Sequence, residues 1–423
     1  IRITILTRPF FKTFYRDVEG LDFIDFQPAR GHKGFAGLVR LARDIKATGA
    51  DSVADLHDVL RTKVVRRLLW MSGLRVAKID KGRYERYQLT RRSGKVLAQI
   101  TPVVERYRRT ILRLGIRFNM KEPYIGSSSP LPMPKSLVVG AKRGVWVGVA
   151  PFAKHRGKIY PIPLADKLIG LLAEKYSKVF IFGGGDHEKS FAEGMEQRHL
   201  GVISVIGKIG LGDEMDVISN LDAIVTMDSA SMHMASLVGT PAISIWGATH
   251  PYAGFYGWGQ DPGDAVQLDL PCRPCSIYGN KPCIFGDYRC LADIAPETVL
   301  AAVDRRIKEN KRKSREAKEQ MAKPADKSDG LSARERAAAV REAARKAEAE
   351  RLAGKTVTWD KIESDLDKGA KKGKGSEKPS EAAATASGKK RLQSTGGEKE
   401  SKQTAGRGVK KKPVSSGKGV AQG

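Results

Sequence analysis

The sequence contains few cysteines and no long apolar stretch. Four cysteines in 423 residues are too few for the disulfide-dense scaffold of a small secreted protein. No uninterrupted apolar run approaches the roughly 18 residues that a membrane-spanning helix requires. The low cysteine count therefore excludes a disulfide-dense scaffold. The lack of a long apolar run argues against an integral membrane protein.

Acidic side chains are also scarce, with 47 Asp and Glu against 75 Lys and Arg and a net charge of +28. Half of this excess lies in residues 311–423, which contain 30 basic side chains, 16 acidic ones and a single aromatic residue, Trp359. A segment of this composition cannot bury enough apolar surface to offset its ordering entropy, so we predict a disordered basic tail. Within it, an Ala-, Arg- and Glu-rich stretch at 331–353 predicts a solvated helix.

Residues 1–310 alternate short apolar runs with longer amphipathic segments. Strands are predicted at 2–6, 52–55, 76–79, 145–150, 178–182, 202–205, 223–227, 242–246 and 265–268. Helices are predicted between them, at 35–48, 64–71, 102–114, 164–176 and 231–238. This alternation is typical of parallel sheets that are covered on both faces. A proline-rich break at 127–134 divides the series, so we predict two doubly wound α/β domains, 1–134 and 135–310, that face each other across a cleft.

In such sheets ligands bind at the carboxyl ends of the strands, and the most informative junction follows the strand at 223–227. Asp228 comes first, and Ser229, Ala230 and His233 follow at the start of a helix of small residues. The free N–H groups of a helix start suit a phosphate, and a carboxylate at this point could accept from a ribose or sugar hydroxyl. An ordinary capped helix that packs against the sheet is the alternative.

Two further junctions carry residues that suit a nucleotide. Three glycines follow the strand at 178–182 and allow close approach to a ligand, and Glu188 beyond them could hold a nucleotide hydroxyl. A tight turn and a favourable first-turn carboxylate explain the same residues. A basic loop that contains Lys158 follows the strand at 145–150 and could neutralise a diphosphate, or it could be a solvated surface loop.

Three motifs give the sequence a family resemblance. The run DSASMHMASLVGTPAISIWGATHP, which begins at Asp228, and the GWG at 257–259 resemble the bacterial heptosyltransferases of glycosyltransferase family 9. The run DLHDVLR, which ends at Arg61, and the run GKIYP at 157–161 are similar to two further motifs of that family. The resemblance covers residues 1 to about 310 and none of the tail.

The resemblance implies a GT-B fold of two Rossmann-like domains and an inverting transfer that requires no metal or other cofactor. The transferred sugar is typically a heptose from an ADP-activated donor, and the acceptor is a lipopolysaccharide core or a related glycolipid. The resemblance assigns six residues to donor binding and two to an anionic acceptor: Lys158, Glu188, Asp228, Ser229, Ala230 and His233 for the donor, and Arg61 and Arg106 for the acceptor. Ala230 stands where glycine is common in the family, which narrows the space for a phosphate.

The resemblance also places the catalytic aspartate, the general base, in a Gly-Asp loop before Ile1, so we expect the chain as given to be inactive. It implies a peripheral protein at the cytoplasmic face of the bacterial inner membrane. Two alternatives stay open. One is a nucleotide-sugar epimerase of similar two-domain build, and the other is a nucleic-acid-binding protein that acts through its basic tail.

The four cysteines fall within 19 residues, at Cys272, Cys275, Cys283 and Cys290. Such clustering is compatible with a structural zinc site, with redox-sensitive disulfides and with simple packing, and the three explanations stay open. Basic side chains cluster at 61–67, 83–92 and 106–109. Their charged faces could meet anionic lipid headgroups or a phosphorylated glycolipid, or they could be solvated.

Overall fold

The first part of the chain carries four strands in two separate parallel pairs. The computed structural model describes residues 1–120 and 130–322. Within the first of these ranges β1 (Ile3–Thr7) pairs with β2 (Leu21–Asp25), and β3 (Ser52–Asp55) pairs with β4 (Arg75–Lys78). The helices of this part are α1 (Gly34–Ala47), α2 (Leu60–Met71), α3 (Arg83–Thr90) and α4 (Val103–Leu112).

These two pairs differ from the single doubly wound sheet that the sequence predicts for 1–134. Such a sheet requires strands that are covered on both faces, whereas no residue of β1 or β2 is fully buried. The buried cluster of this part lies instead where α1 and α2 pack together, around Leu38, Leu41 and Leu69. The domain boundary at 134 stays a prediction, because residues 121–129 lie outside the described ranges.

The second part contains one sheet of six parallel strands in the order β10-β9-β8-β5-β6-β7. The strands are β5 (Trp146–Ala150), β6 (Lys178–Ile181), β7 (Val202–Ser204), β8 (Ala223–Met227), β9 (Ala242–Trp246) and β10 (Ala265–Gln267). The helices are α5 (Ile162–Lys175), α6 (Asp186–Arg198), α7 (Leu211–Ser219), α8 (Ala230–Leu237), α9 (Arg289–Ala292) and α10 (Pro296–Ala322). The strands predicted here from apolar runs are therefore confirmed to within a residue at each end.

This sheet is covered on both faces because successive side chains of a strand point to opposite sides. Val147 joins a buried cluster with residues of α5 and α10, and its neighbour Trp146 joins a second cluster with residues of α7 and α8. β5 and β8 are neighbours in this sheet. From β5 the chain continues outward to β6 and β7, and from β8 it continues in the opposite direction to β9 and β10, so the chain order reverses between β5 and β8. Ligands of open α/β sheets bind in the crevice that such a reversal leaves at the carboxyl ends of the strands.

The last helix corrects the predicted start of the tail. Residues 311–322 were predicted as disordered, but α10 continues to Ala322. Lys, Arg, Glu and Ala favour helix, and ion pairs one turn apart, Arg312–Glu316 and Arg315–Glu319, support this last part. The remaining tail and its predicted helix at 331–353 lie outside the described residues. Among the helices that are described, none is long and apolar enough to cross a membrane.

Candidate functional site

A cavity of about 540 Å³ opens at the carboxyl ends of β5, β6 and β8. Its position matches the chain reversal of the sheet, where a ligand crevice is expected. The six residues predicted to bind a donor all line it: Lys158, Glu188, Asp228, Ser229, Ala230 and His233.

An ion pair lines the cavity. Asp228 is the first residue after β8 and is only 5% exposed. Lys158 reaches it from the turn after β5, and its Nζ lies 3.4 Å from Asp228 Oδ2. The lysine side chain retains 16% exposure. The pair therefore holds a cation at a fixed place in a partly dehydrated cavity, where a charge interacts more strongly than in bulk water.

The start of α8 offers unpaired backbone donors beside this lysine. Ser229 is the residue that precedes the helix, but its side chain makes no capping hydrogen bond. Its hydroxyl lies instead 3.2 Å from Thr226 Oγ1. Since Ser229, Ala230 and Ser231 all line the cavity, the first N–H groups of α8 are available to an anion there.

His233 lies one turn further along α8 and is exposed to the cavity. Desolvation by the surrounding protein lowers the pKa of its imidazole, and Lys158 adds to this effect while Asp228 opposes it. The imidazole is therefore neutral near pH 7. In that state one ring nitrogen donates a hydrogen bond and the other accepts one.

Glu188 occupies the β6 side of the cavity. Its Oε2 accepts a hydrogen bond from Gly184 N at 2.6 Å, which holds the glycine-rich turn after β6. A Cβ at Gly183 would lie 2.6 Å from the same oxygen, so a larger residue there would displace the Glu188 carboxylate. A carboxylate has capacity for further hydrogen bonds, which a ligand hydroxyl could donate.

The opposite wall consists of residues that the sequence analysis did not find. Phe255 follows β9, and Ile277 and Tyr278 follow β10; all three line the cavity. They belong to loops without a recognisable spacing pattern. No local signal in the sequence identifies them.

The two predicted acceptor residues have different environments. Arg61 is exposed in the first turn of α2, and its guanidinium lies 5.5 Å from the Phe26 ring. Arg106 is only 4% exposed, bonds to Glu85 and donates to the carbonyl of Thr101 at 3.0 Å. A buried guanidinium with internal partners is not available to an acceptor, so the predicted role of Arg106 is corrected to a structural one.

The four cysteines are free thiols, and no disulfide joins them. Burial raises the pKa of Cys290 to about 12, so this thiol is protonated at neutral pH. Within residues 1–120 and 130–322, no three His, Cys, Asp or Glu side chains are arranged to hold a metal ion. As arranged here the thiols do not fit a zinc ion. The predicted zinc site stays a prediction, and we derive no role for a metal.

A doubly wound parallel sheet with a cavity at its chain reversal is the arrangement of the α/β nucleotide-binding proteins. Within that class, the sequence profile of glycosyltransferase family 9 (heptosyltransferase) matches residues 38–282. The match covers more than half of the chain. The chain belongs to glycosyltransferase family 9.

Relatives with assigned names match shorter segments. Lipooligosaccharide heptosyltransferase 2 of Campylobacter jejuni is 25% identical over 130 residues, which is 30% of this chain and 40% of the relative. Lipooligosaccharide heptosyltransferase 2 of Haemophilus influenzae is 41% identical over 110 residues, 25% of this chain and 32% of the relative. The matched segments thus span less than half the length of either relative.

Two solved structures show the same fold. A family 9 glycosyltransferase from Veillonella parvula superposes with a TM-score of 0.53 at 16% identity, over 73% of this chain and 89% of that one. The E. coli ADP-heptose LPS heptosyltransferase II gives a TM-score of 0.52 at 15% identity, over 73% and 90%. At these identities the likeness supports the α/β fold, and the details of the GT-B arrangement stay a prediction.

Proposed function

We propose that this protein is an inverting glycosyltransferase that needs no metal and moves a heptose from ADP-heptose to a lipopolysaccharide core or a related glycolipid. Family membership and the names of the relatives support the sugar and the acceptor class. The observation that carries the proposal is the cavity in which Lys158, Asp228 and the start of α8 meet.

The residues of the cavity suit the departure of a nucleoside diphosphate. As the bond to the sugar breaks, negative charge develops on the leaving phosphate, and fixed donors that stabilise this charge lower the barrier. Lys158 supplies a cation, the start of α8 supplies N–H groups, and neutral His233 supplies one further donor. Asp228 holds the lysine in place and, with Glu188, accepts hydrogen bonds from donor hydroxyls.

The acceptor would approach from the amino-terminal part of the chain. Arg61 is an exposed cation there, and it suits the phosphates or carboxylates of an anionic glycolipid. We place the protein at the inner face of the bacterial inner membrane, where such an acceptor is reached. The transfer also requires a general base that deprotonates the acceptor hydroxyl, and its identity stays a prediction.

Calorimetric titration of the 423-residue chain with ADP tests the donor site without requiring turnover. A hydrogen bond to a charged group contributes about 1.5–3 kcal/mol, so Lys158→Ala should weaken ADP binding by about 10- to 100-fold. Lys167→Ala is the matched control, because Lys167 lies on α5, away from the cavity, and pairs with Glu297. Failure of the wild-type chain to bind ADP, or equal affinities in both variants, would contradict the proposal.

Incubation with ADP-heptose alone distinguishes a transferase from the epimerase alternative. An epimerase converts the donor without an acceptor, whereas a transferase gives at most slow hydrolysis. Asp228→Ala should reduce transfer strongly without unfolding the protein. If this variant transfers sugar at the wild-type rate, the donor does not bind in this cavity.

A further inference from the structure

Two aromatic rings form one wall of the donor cavity. They belong to Phe255 and Tyr278, whose ring centroids lie 5.7 Å apart with planes inclined by 50°. Tyr278 is 48% exposed, so its ring presents a face to solvent and to the cavity. The rest of the lining mixes apolar side chains with Lys158, Asp228 and backbone groups, and these polar groups suit phosphates and hydroxyls.

One side chain from the amino-terminal part of the chain sits on this wall. Arg86 of α3 places its guanidinium carbon 5.2 Å from the Phe255 ring centroid and 5.8 Å from that of Tyr278. Its Nη1 donates a hydrogen bond of 2.8 Å to the Tyr278 hydroxyl. A cation over two rings is attracted to both, and the hydrogen bond fixes the tilt of the tyrosine.

Backbone contacts nearby hold the same two parts together. Ile100 N donates to Tyr252 O at 3.1 Å, and Val103 N donates to Gly254 O at 2.9 Å. A Cβ at Gly254 would lie 2.9 Å from Thr101 O, so the approach requires glycine. The contact of Arg86 with the wall is therefore part of a packed junction and not an isolated surface contact.

The order of the strands fixes how a donor would lie. Glu188 follows β6 on one side of β5 and β8, whereas Phe255 and Tyr278 follow β9 and β10 on the other. Lys158 and the start of α8 lie between them, where the diphosphate is proposed. Because the acceptor approaches from the amino-terminal part, the transferred sugar must lie at the end of the cavity that this part closes.

We propose that Phe255 and Tyr278 bind the transferred sugar of the donor, and that Arg86 is the positioning residue that orients Tyr278 for this. The inference rests on the proposed function and assigns the sugar end of its donor site. Aromatic faces pack against the apolar C–H face of a sugar ring. Since the Tyr278 oxygen accepts from Arg86, its own proton is free to donate to a sugar hydroxyl.

Titration of the 423-residue chain with ADP-heptose and, separately, with ADP tests this assignment. Arg86→Ala should weaken ADP-heptose binding by about 5- to 10-fold, because it removes about one hydrogen bond and the fixed orientation of the Tyr278 ring. The affinity for ADP should stay unchanged. Tyr278→Phe keeps the ring but removes the hydroxyl. It should weaken ADP-heptose binding about fivefold and leave ADP binding unchanged. The double variant should lose less than the product of the two single losses, because both remove the same interaction.

Arg92→Ala is the matched control, an exposed arginine in the segment after α3. Arg86→Lys retains a cation and a donor and should restore part of the ADP-heptose affinity. If Arg86→Ala and Tyr278→Phe weaken the binding of both ligands equally, or of neither, the inference is overturned and the proposed function is not. A wild-type chain that binds neither ligand would overturn the proposed function and the inference with it.

Discussion

The two parts of this protein bury their strands to different degrees. Every residue of β5, β8 and β9 is buried, whereas no residue of β1 or β2 is. Buried apolar clusters cover both faces of the six-stranded sheet. The described amino-terminal part has one cluster between α1 and α2, and its Leu89 and Ile100 form a small one with Ala253. Regions with few buried apolar contacts open locally at lower free energy. The donor cavity thus lies on the stable part, and the proposed acceptor surface lies on the more adaptable one.

Exposed apolar side chains show the same asymmetry. The amino-terminal part exposes several large ones, including Phe10, Phe35, Leu60 and Trp70. These exposures agree with the smaller share of buried apolar contacts in the amino-terminal part.

The largest expected effect contrasts one phenylalanine from each part. Phe180 of β6 is fully buried against Trp146, and its truncation to alanine should reduce the free energy of unfolding by about 3–5 kcal/mol. Phe23 of β2 is only half-buried, so Phe23→Ala should reduce the free energy of unfolding by about 1–2 kcal/mol. Urea denaturation of both variants measures the difference. Equal losses would show that the amino-terminal part is as well packed as the sheet.

A second prediction concerns the junction between the two parts, where His250 is 8% exposed. Its Nδ1 accepts from Tyr252 N at 3.1 Å, and burial, with Arg273 nearby, lowers its pKa to about 4. The unfolded chain, with a histidine pKa near 6.5, takes up a proton first as the pH falls. Stability should therefore decline below about pH 6.5, by about 2 kcal/mol at pH 5 relative to pH 7.

His250→Asn provides the control, because asparagine can accept the same backbone hydrogen bond without titrating in this range. Denaturant unfolding at pH 7 and pH 5 should give a smaller loss for the variant than for the wild type. The same pH dependence in both proteins would assign the titration to another group.

The sequence predicted every strand of the buried sheet. In the amino-terminal part it predicted β1, β3 and β4 to within a residue at each end, but it missed β2 and the separate pairing of the strands, for a physical reason. β8 and β9 are mainly apolar, with one buried hydroxyl residue each, Thr226 and Ser244, and this composition is typical of strands that are covered on both faces. β2 was missed because Asp22 and Asp25 interrupt its apolar residues, as befits a partly exposed strand. The end of α10 was missed because a composition rich in charge suits a solvated helix as well as a disordered tail.

The functional site also contains residues that the sequence predicts and residues that it does not. The donor residues stand at strand ends, and parallel strands bring their carboxyl ends to one edge, so their sequence positions predict their proximity. Phe255 and Tyr278 reach the cavity through loops whose path depends on tertiary contacts with α3. Arg106 was assigned to the acceptor because a sequence does not distinguish an exposed arginine from one with buried partners such as Glu85.

The smallest predicted effect tests how strongly the junction joins the two parts. Lys95 Nζ donates to the carbonyls of Pro271, Cys272 and Pro274 at 3.3, 2.8 and 3.2 Å. Burial lowers the pKa of this lysine, which shows that desolvation opposes its charged form. The cost of desolvation offsets most of the gain from the three hydrogen bonds, so Lys95→Met, which keeps the apolar stem, should lose about 1 kcal/mol of unfolding free energy.

Lys142→Met is the matched control for this measurement. Lys142 donates to Asn220 O at 2.8 Å and pairs with Asp222 at 3.0 Å, so its contacts lie within the carboxyl-terminal part alone. Urea denaturation should show a smaller loss for Lys142→Met, because this lysine is more exposed and an exposed ion pair contributes little to stability. A loss in Lys95→Met as large as that of Phe180→Ala would mean that the junction is held as firmly as the sheet. The amino-terminal part would then be a fixed wall of the donor cavity and not an adaptable partner to it.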